Sequence, residues 1–351
     1  YGSSSNSSSS SGSSYGSNSG SGSSYPVSQL SGFGTMVNQA SGQQGVLNQK
    51  VSATARAKRV SLKGNGKDTT TIMVYLCGTD LESRSGMATS DLQEMINAEL
   101  SDKISILVYT GGCSQWKNRN FSTKKNQIYQ VTSKGLSLLA ENDSLLPMTD
   151  PATLAEFIKW SKKNYPADRY DLIFWDHGGG SASGYGYDEV YKNSGSMTLD
   201  KIGDALKAGG CTFDFIGFDA CLMATLETAL VCEPYADYLI ASEETEPGIG
   251  WYYTNWLTKY SRDPSMQTIS IGKNIVDDFV NTCAKNTPGQ QATLSVIDLA
   301  EVAGDVPESF KAFAASTNEM IRGDSYKTVA SARANTKEFA RSSKIDQVDL
   351  I

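Results

Sequence analysis

The 351-residue sequence predicts an α/β protein with a mostly parallel central sheet, helices on both faces and a helical C-terminal part. Short apolar runs without polar alternation recur along the chain, as strands buried on both faces require. Segments with helical periodicity separate those runs, and glycine or polar turns follow where the runs end.

The elements follow in order. "TTTIMVYLC" (69–77) and "ISILVYTGG" (104–112) read as buried strands. Between them "SDLQEMINAEL" reads as a helix, with Ser90 and Gln93 as a capping box and Leu92, Met95, Ile96 and Leu100 on one face. A short hairpin falls around "NQIYQVTSKGLSLL". Asp150-Pro151 opens a helix as cap and first-turn proline, with Leu154, Phe157 and Ile158 turned inward. "YDLIFWDHGGG" (170–180) is a strand running into a glycine turn, and "MTLDKIGDALKAGG" is a helix ended by Gly209-Gly210. The strand "FDFIGFDAC" (213–221) is followed by a helix read over 222–232. "YLIASEE" (238–244) and "ATLSVIDL" (292–299) continue the series, and about 305–340 reads as helical. The chain stops at "IDQVDLI" without a capping or turn signal, so the domain over 69–351 is expected to be truncated at its C-terminus.

Ahead of that domain, residues 1–68 read as a low-complexity tether passing into a basic linker or pro-segment. Residues 1–24 are only Ser, Gly, Asn and Tyr, which bury too little apolar surface to offset chain entropy. Their composition is that of a flexible tether. The stretch "RAKRVSLKGNGK" closes the segment, and as a pro-segment its basic residues would be cleavage points. Tyr1 stands where a precursor would have Met, so we read a mature form with any targeting segment gone.

Composition narrows the function. The net charge is −7, of which residues 50–68 contribute +5, leaving −12 for residues 69–351. So acidic a body is a poor partner for nucleic acid and favours cationic substrates. No run reaches the roughly 18 apolar residues of a membrane span. The six cysteines, Cys77, Cys113, Cys211, Cys221, Cys232 and Cys283, include no CxxC pair. That pattern indicates neither a zinc site nor a disulfide scaffold. His177 is the single histidine, which excludes sites built on several imidazoles and leaves one side chain that titrates near neutrality unaided.

In open parallel sheets, sites form at the carboxyl ends of the strands. His177 and Cys221 end two strands that are consecutive in the series, and such strands usually neighbour each other. A cysteine just before a helix gains thiolate character from the helix dipole, and a nearby imidazole adds to it. Three glycines follow His177, so the N–H groups of Gly178 and Cys221 are candidates for an oxyanion hole. Asp219, two residues before Cys221, faces the same side of its strand. A carboxylate there would raise the thiol pKa, which makes sense if it serves a pocket for a cationic side chain. Glu243 and Glu244, ending the next strand, are candidate additions to that pocket. Asp80 reads as a turn cap.

The segments "MVYLCGTDLES", "YDLIFWDHGGG", "IGFDACLMATLETA" and "SEETEPGIGWYYTNWL" resemble the clostripain family of cysteine peptidases, in the caspase–gingipain–legumain group. The resemblance spans about residues 70–260. It implies a caspase-like α/β/α sandwich and a His-Cys dyad, with Cys221 as nucleophile and His177 as acid/base. It also implies cleavage of proteins or peptides after Arg or Lys, with Asp219 as one pocket acid. A second pocket acid would be Glu243, Glu244 or Glu246. Members often mature by self-cleavage between His and Cys, where "GYDEVYKNSG" offers Lys192. The resemblance implies no required cofactor. Calcium dependence occurs in some members, and no EF-hand-like loop is present here. The charge-free tether departs from the peptidase pattern and points to a secreted protein or one tethered at a bacterial cell surface. A rival expectation is an inactive caspase-fold binding or scaffold protein on the cell surface.

Overall fold

A computed structural model of the chain describes residues 50–343 and 345–349. The Ser/Gly tether expected over residues 1–49 lies outside the described residues. The first strand, β1 (Thr70–Cys77), is followed by the short helix α1 (Thr79–Ser85) and by α2 (Met87–Ile96). Then come β2 (Ile104–Gly111), β3 (Gln127–Thr132), β4 (Gly135–Glu141) and α3 (Pro151–Asn164). β5 (Arg169–Trp175), α4 (Gly180–Ser183), α5 (Leu199–Gly209), β6 (Phe213–Asp219) and α6 (Leu226–Cys232) make up the middle of the chain. β7 (Ala236–Ala241), α7 (Tyr253–Arg262), α8 (Thr268–Asn286), β8 (Ser295–Asp298), α9 (Leu299–Arg322) and α10 (Tyr326–Asn335) complete it.

The strands form one sheet in the order β4-β3-β2-β1-β5-β6-β7-β8. β2, β1, β5, β6 and β7 run parallel, while the β3–β4 hairpin and β8 add antiparallel edges. Every residue of β1 and of β6 is buried, which explains their unbroken apolar character. One core packs α2, α7 and α8 against the sheet through Leu92, Met95, Trp256, Leu257, Ile271 and Ile275. The opposite core packs α3, α5 and α6 through Leu154, Phe157, Ile202, Leu206, Ala229 and Cys232. The result is the expected α/β/α sandwich. Chain order reverses at β1, with β2 on one side and β5 on the other, and a crevice at such a switch point is where open α/β sheets place ligands.

Several local expectations are corrected. α2 begins at Met87 behind Gly86, whose φ of +69° ends α1 and starts α2 in one step. Ser90 therefore lies inside the helix and caps nothing. The helix read over 222–232 begins only at Leu226, where the Thr225 side chain accepts from the Thr228 N–H. Leu222 is instead held at φ +68°.

The basic segment is no free linker over its described part. The Arg56 guanidinium bonds the carbonyls of Glu233 and Ala236, the Glu233 carboxylate and the buried Asp237. The N–H groups of Arg59 and Val60 also donate to Asp237. A β-carbon on Gly304 of α9 would lie 2.1 Å from the carbonyl oxygen of Thr54. The partners lie well over a hundred residues downstream, so local pattern gave no sign of them.

Candidate active site

Register places the site. Trp175 of β5 pairs with Asp219 of β6, so His177 and Cys221 each lie two residues beyond a matched pair. The Asp176 N–H donates to the Asp219 carbonyl at 3.4 Å and carries the ladder one step further. A β-carbon on Gly178 would sit 2.0 Å from the carbonyl oxygen and 3.1 Å from the nitrogen of Cys221. The two strand ends are therefore in backbone contact, and glycine is required by close approach. This contact brings together His177, Gly178 and Cys221.

Of the six cysteines five are buried, and Cys221 alone is partly exposed. Its sulfur accepts the N–H of Glu246 at 3.2 Å. Burial pushes the Cys221 thiol up, and the Asp219 charge adds to the rise, while backbone hydrogen bonding at Glu246 works against it. The dipole effect expected from a helix beginning at 222 is missing, because α6 starts four residues later and has only two turns. Leu222, in the left-handed region, ends the strand direction directly after Cys221 and donates its N–H to the Glu244 carbonyl at 3.0 Å.

The ring of His177 is half exposed, and its Nε2 lies 2.8 Å from Asp80 Oδ1. Asp80 reaches it from the end of β1, across the switch point. The cap expected of Asp80 does not exist: Gly78 is the residue flanking α1, with no side-chain cap bond. The hydrogen bond from His177 is the main influence lowering the Asp80 pKa.

Asp219 is buried, accepting from the Trp251 N–H at 3.1 Å and the Tyr253 hydroxyl at 2.8 Å. Desolvation pushes its pKa up to about 6. The neighbouring Glu246 carboxyl oxygens are sealed from solvent, and the group they face is Asp219. Burial first, and then the Asp219 charge, drive Glu246 well above the carboxylate range. We therefore assign Glu246 as the protonated member and Asp219 as the one that ionises first.

Two further acids join from α2. Asp91 is buried, accepts from Trp175 Nε1 at 2.6 Å, and is raised well above its ordinary value by desolvation and then by Asp219. Glu94 is raised to about 7, chiefly by burial. A β-carbon on Gly250 would meet Asp219 Oδ1 at 3.0 Å and Asp91 Oδ2 at 3.2 Å, so this turn closes over both carboxylates. Beside it opens a pocket of about 250 Å³, lined among others by Ser90, Asp91, Glu94, Tyr252 and Asn286. Sequence reading missed Asp91 and Glu94. One signal was available: Asp91 sits three residues after Ala88 and four before Met95, within the buried stripe of α2.

Glu243 and Glu244 do not join this group. Glu243 accepts from Ser295 of β8, and Glu244 accepts the Ala340 N–H at 2.9 Å. Edge-strand and C-terminal partners, both distant in sequence, claim the two carboxylates. Lys192 is exposed, opening a single 3-10 turn over Lys192–Ser194. Among the described residues no three or more His, Cys, Asp or Glu side chains converge in a way that could hold a metal ion.

Residues 74–349 match the model of the clostripain family. Clostripain of Hathewaya histolytica is 35% identical over 123 residues, covering 30% of this chain and 23% of that protein. The chain thus spans about a quarter of the length of that curated relative. A secreted C11 cysteine protease from Bacteroides thetaiotaomicron, solved with an irreversible peptide inhibitor, superposes with a TM-score of 0.54 at 24% identity, over 67% of this chain and 68% of that one. An inactive zymogen C11 protease from Parabacteroides distasonis gives 0.52 at 24%, over 67% and 64%. These two likenesses establish the caspase-like fold.

Proposed function

The chain belongs to the clostripain family, a family of cysteine peptidases, and we propose that it cleaves peptide bonds after Arg or Lys with Cys221 as nucleophile and His177 as acid/base. The observation that supports the reading most is the close backbone approach of Gly178, the residue after the one histidine, to Cys221, the one partly exposed cysteine.

In the reaction the Cys221 proton passes to His177, and the thiolate sulfur attacks the scissile carbonyl carbon. The resulting oxyanion is stabilised by the N–H groups of Gly178 and Cys221. His177 then gives its proton to the leaving amine, the C–N bond breaks, and a thioester remains. Water, losing a proton to His177, hydrolyses the thioester and restores the thiol. Asp219 pairs with the cationic side chain preceding the cut, supported by Glu246 and by the α2 acids Asp91 and Glu94.

Burial raises the Cys221 thiol, and the sulfur lies 3.9 Å from the Glu246 carbonyl, an acceptor for its S–H, which supports a resting enzyme whose nucleophile is held as a thiol. That state fits a precursor activated by self-cleavage at Lys192, which is exposed as a cut requires. Secretion, with or without a surface tether, is part of the same proposal. Among the described residues no helix is long and apolar enough to cross a membrane.

The test is turnover of Arg-, Lys- and neutral-ended chromogenic peptides by the wild type, Cys221→Ala and His177→Ala. Hydrolysis confined to basic peptides and reduced about 10³-fold or more in both variants is expected. Undiminished turnover in Cys221→Ala would overturn the assignment and leave the inactive-scaffold reading.

A further inference from the structure

Asp80 has no part in the dyad chemistry above, yet its carboxylate lies 2.8 Å from His177 Nε2. The surroundings show a built arrangement. Thr79, directly before Asp80, is fully buried at φ +45°, a conformation that costs a β-branched residue strain. Its hydroxyl donates at 3.0 Å to Asp176, the buried residue directly before His177. Asp176 in turn accepts the Tyr187 N–H at 2.6 Å. The residues preceding Asp80 and His177 are thus tied to each other across the switch point between β1 and β5. A strained backbone held by a buried bond aims Asp80 at the ring.

Two plainer roles account for less. Asp80 caps nothing in α1. Its contact with Arg84, at 3.4 Å with the arginine largely exposed, is a surface ion pair of the kind worth about 0–1 kcal/mol.

We propose that Asp80 is a positioning residue, holding His177 as the tautomer protonated at Nε2 so that Nδ1 is the atom exchanging protons with Cys221 and the leaving amine. A carboxylate is acceptor-only, so the ring nitrogen facing it must carry the proton, and the other nitrogen is left with its lone pair. Other charged groups around the pair are Arg84 on α1, Asp176 behind His177, and Glu189, which Ser83 and Ser114 hold in place. The proposal rests on the peptidase reading for its consequence, but not for its geometry.

The single histidine makes a direct test feasible. The full chain, labelled with ¹⁵N at histidine, is compared with Asp80→Asn, Asp80→Ala and Asp80→Glu in its neutral-ring range. Wild type should show the Nε2–H tautomer. Asp80→Asn should shift the ring toward Nδ1–H, because an amide can donate to Nε2, and Asp80→Ala should give a mixture. On basic peptides kcat should fall about 10- to 100-fold in the Asn and Ala variants, with KM changed less than about threefold and part of the rate restored by Glu. An unchanged tautomer in both Asn and Ala variants, or a kcat within about twofold of wild type, overturns the proposal. If wild type cleaves no basic peptide, the peptidase reading fails and the tautomer shift alone decides whether Asp80 positions the ring.

Discussion

A β-carbon on Gly178 would lie 2.0 Å from the carbonyl oxygen of Cys221, which makes the residue after the histidine part of the wall against the cysteine. The obstructing atom is backbone at the end of a central strand, so it cannot swing aside as a flexible side chain would. Gly178→Ala should therefore separate the two strand ends. We expect a loss of about 2–4 kcal/mol in denaturant unfolding and hydrolysis of basic peptides near background. A variant as stable and as active as wild type would show that the strand ends are not in contact.

The buried carboxylate of Asp219 gives a pH signature. Its pKa rises from 3.8 unfolded to about 6 folded. A raised acid binds its proton more tightly in the folded state, so the Asp219 contribution to stability falls as pH rises from about 4 to about 6 and is level above. Asp219→Asn removes this loss. The variant should gain stability relative to wild type over that interval, by up to about 3 kcal/mol, while turnover of Arg and Lys peptides drops about 10-fold or more. Calorimetry across pH, alongside KM for basic substrates, checks both halves. For wild type, KM should rise as pH falls below about 6, where Asp219 becomes protonated.

Self-processing can be separated from peptide turnover. Wild type should split at Lys192, while Cys221→Ala and Lys192→Ala both remain whole. A trace of active enzyme should cut Cys221→Ala and leave the Cys221→Ala/Lys192→Ala double variant intact. Mass spectrometry of the fragments reads the cut directly, and an intact wild type with full activity would remove processing as a requirement.

The strap over residues 50–68 should behave as part of the domain. Arg56 satisfies three carbonyls, those of Ala57, Glu233 and Ala236, and two carboxylates, one of them the buried Asp237. Arg56→Ala strands that carboxylate with only the backbone N–H groups of Arg59 and Val60, and should cost about 2–3 kcal/mol in unfolding experiments. Lys67→Ala, at an exposed position, should cost less than about 0.5 kcal/mol.

The sheet was legible because strands buried on both faces carry their burial in composition, as β1, β2, β5 and β6 do. Placing His177 and Cys221 at neighbouring strand ends needed only strand order. What surrounds them depended on long-range partners that no local pattern reveals. The helix after Cys221 was misread because Leu222 and Met223 extend its apolar rhythm, although the left-handed Leu222 and the Thr225 cap delay its start. Glu243 and Glu244 were expected in the pocket because they end a strand, yet β8 and residue 340 bind them, and Glu246 lies by Asp219 instead. Asp80 was misjudged because an acid in a first helical turn is ordinary, and its bond to His177 spans 97 positions. Asp91 was the readable omission, an acid on an apolar helix face.

The central claim is that Cys221, alone among six cysteines, is a nucleophile served by a pocket for a cationic side chain. The most direct measurement treats the full chain with irreversible peptide inhibitors ending in Lys, Arg or a neutral residue, and maps the labelled cysteine by mass spectrometry. Labelling of Cys221 only, by the basic inhibitors only, and its loss in His177→Ala are predicted. Equal labelling by the neutral inhibitor, or labelling spread over the other cysteines, would contradict the account.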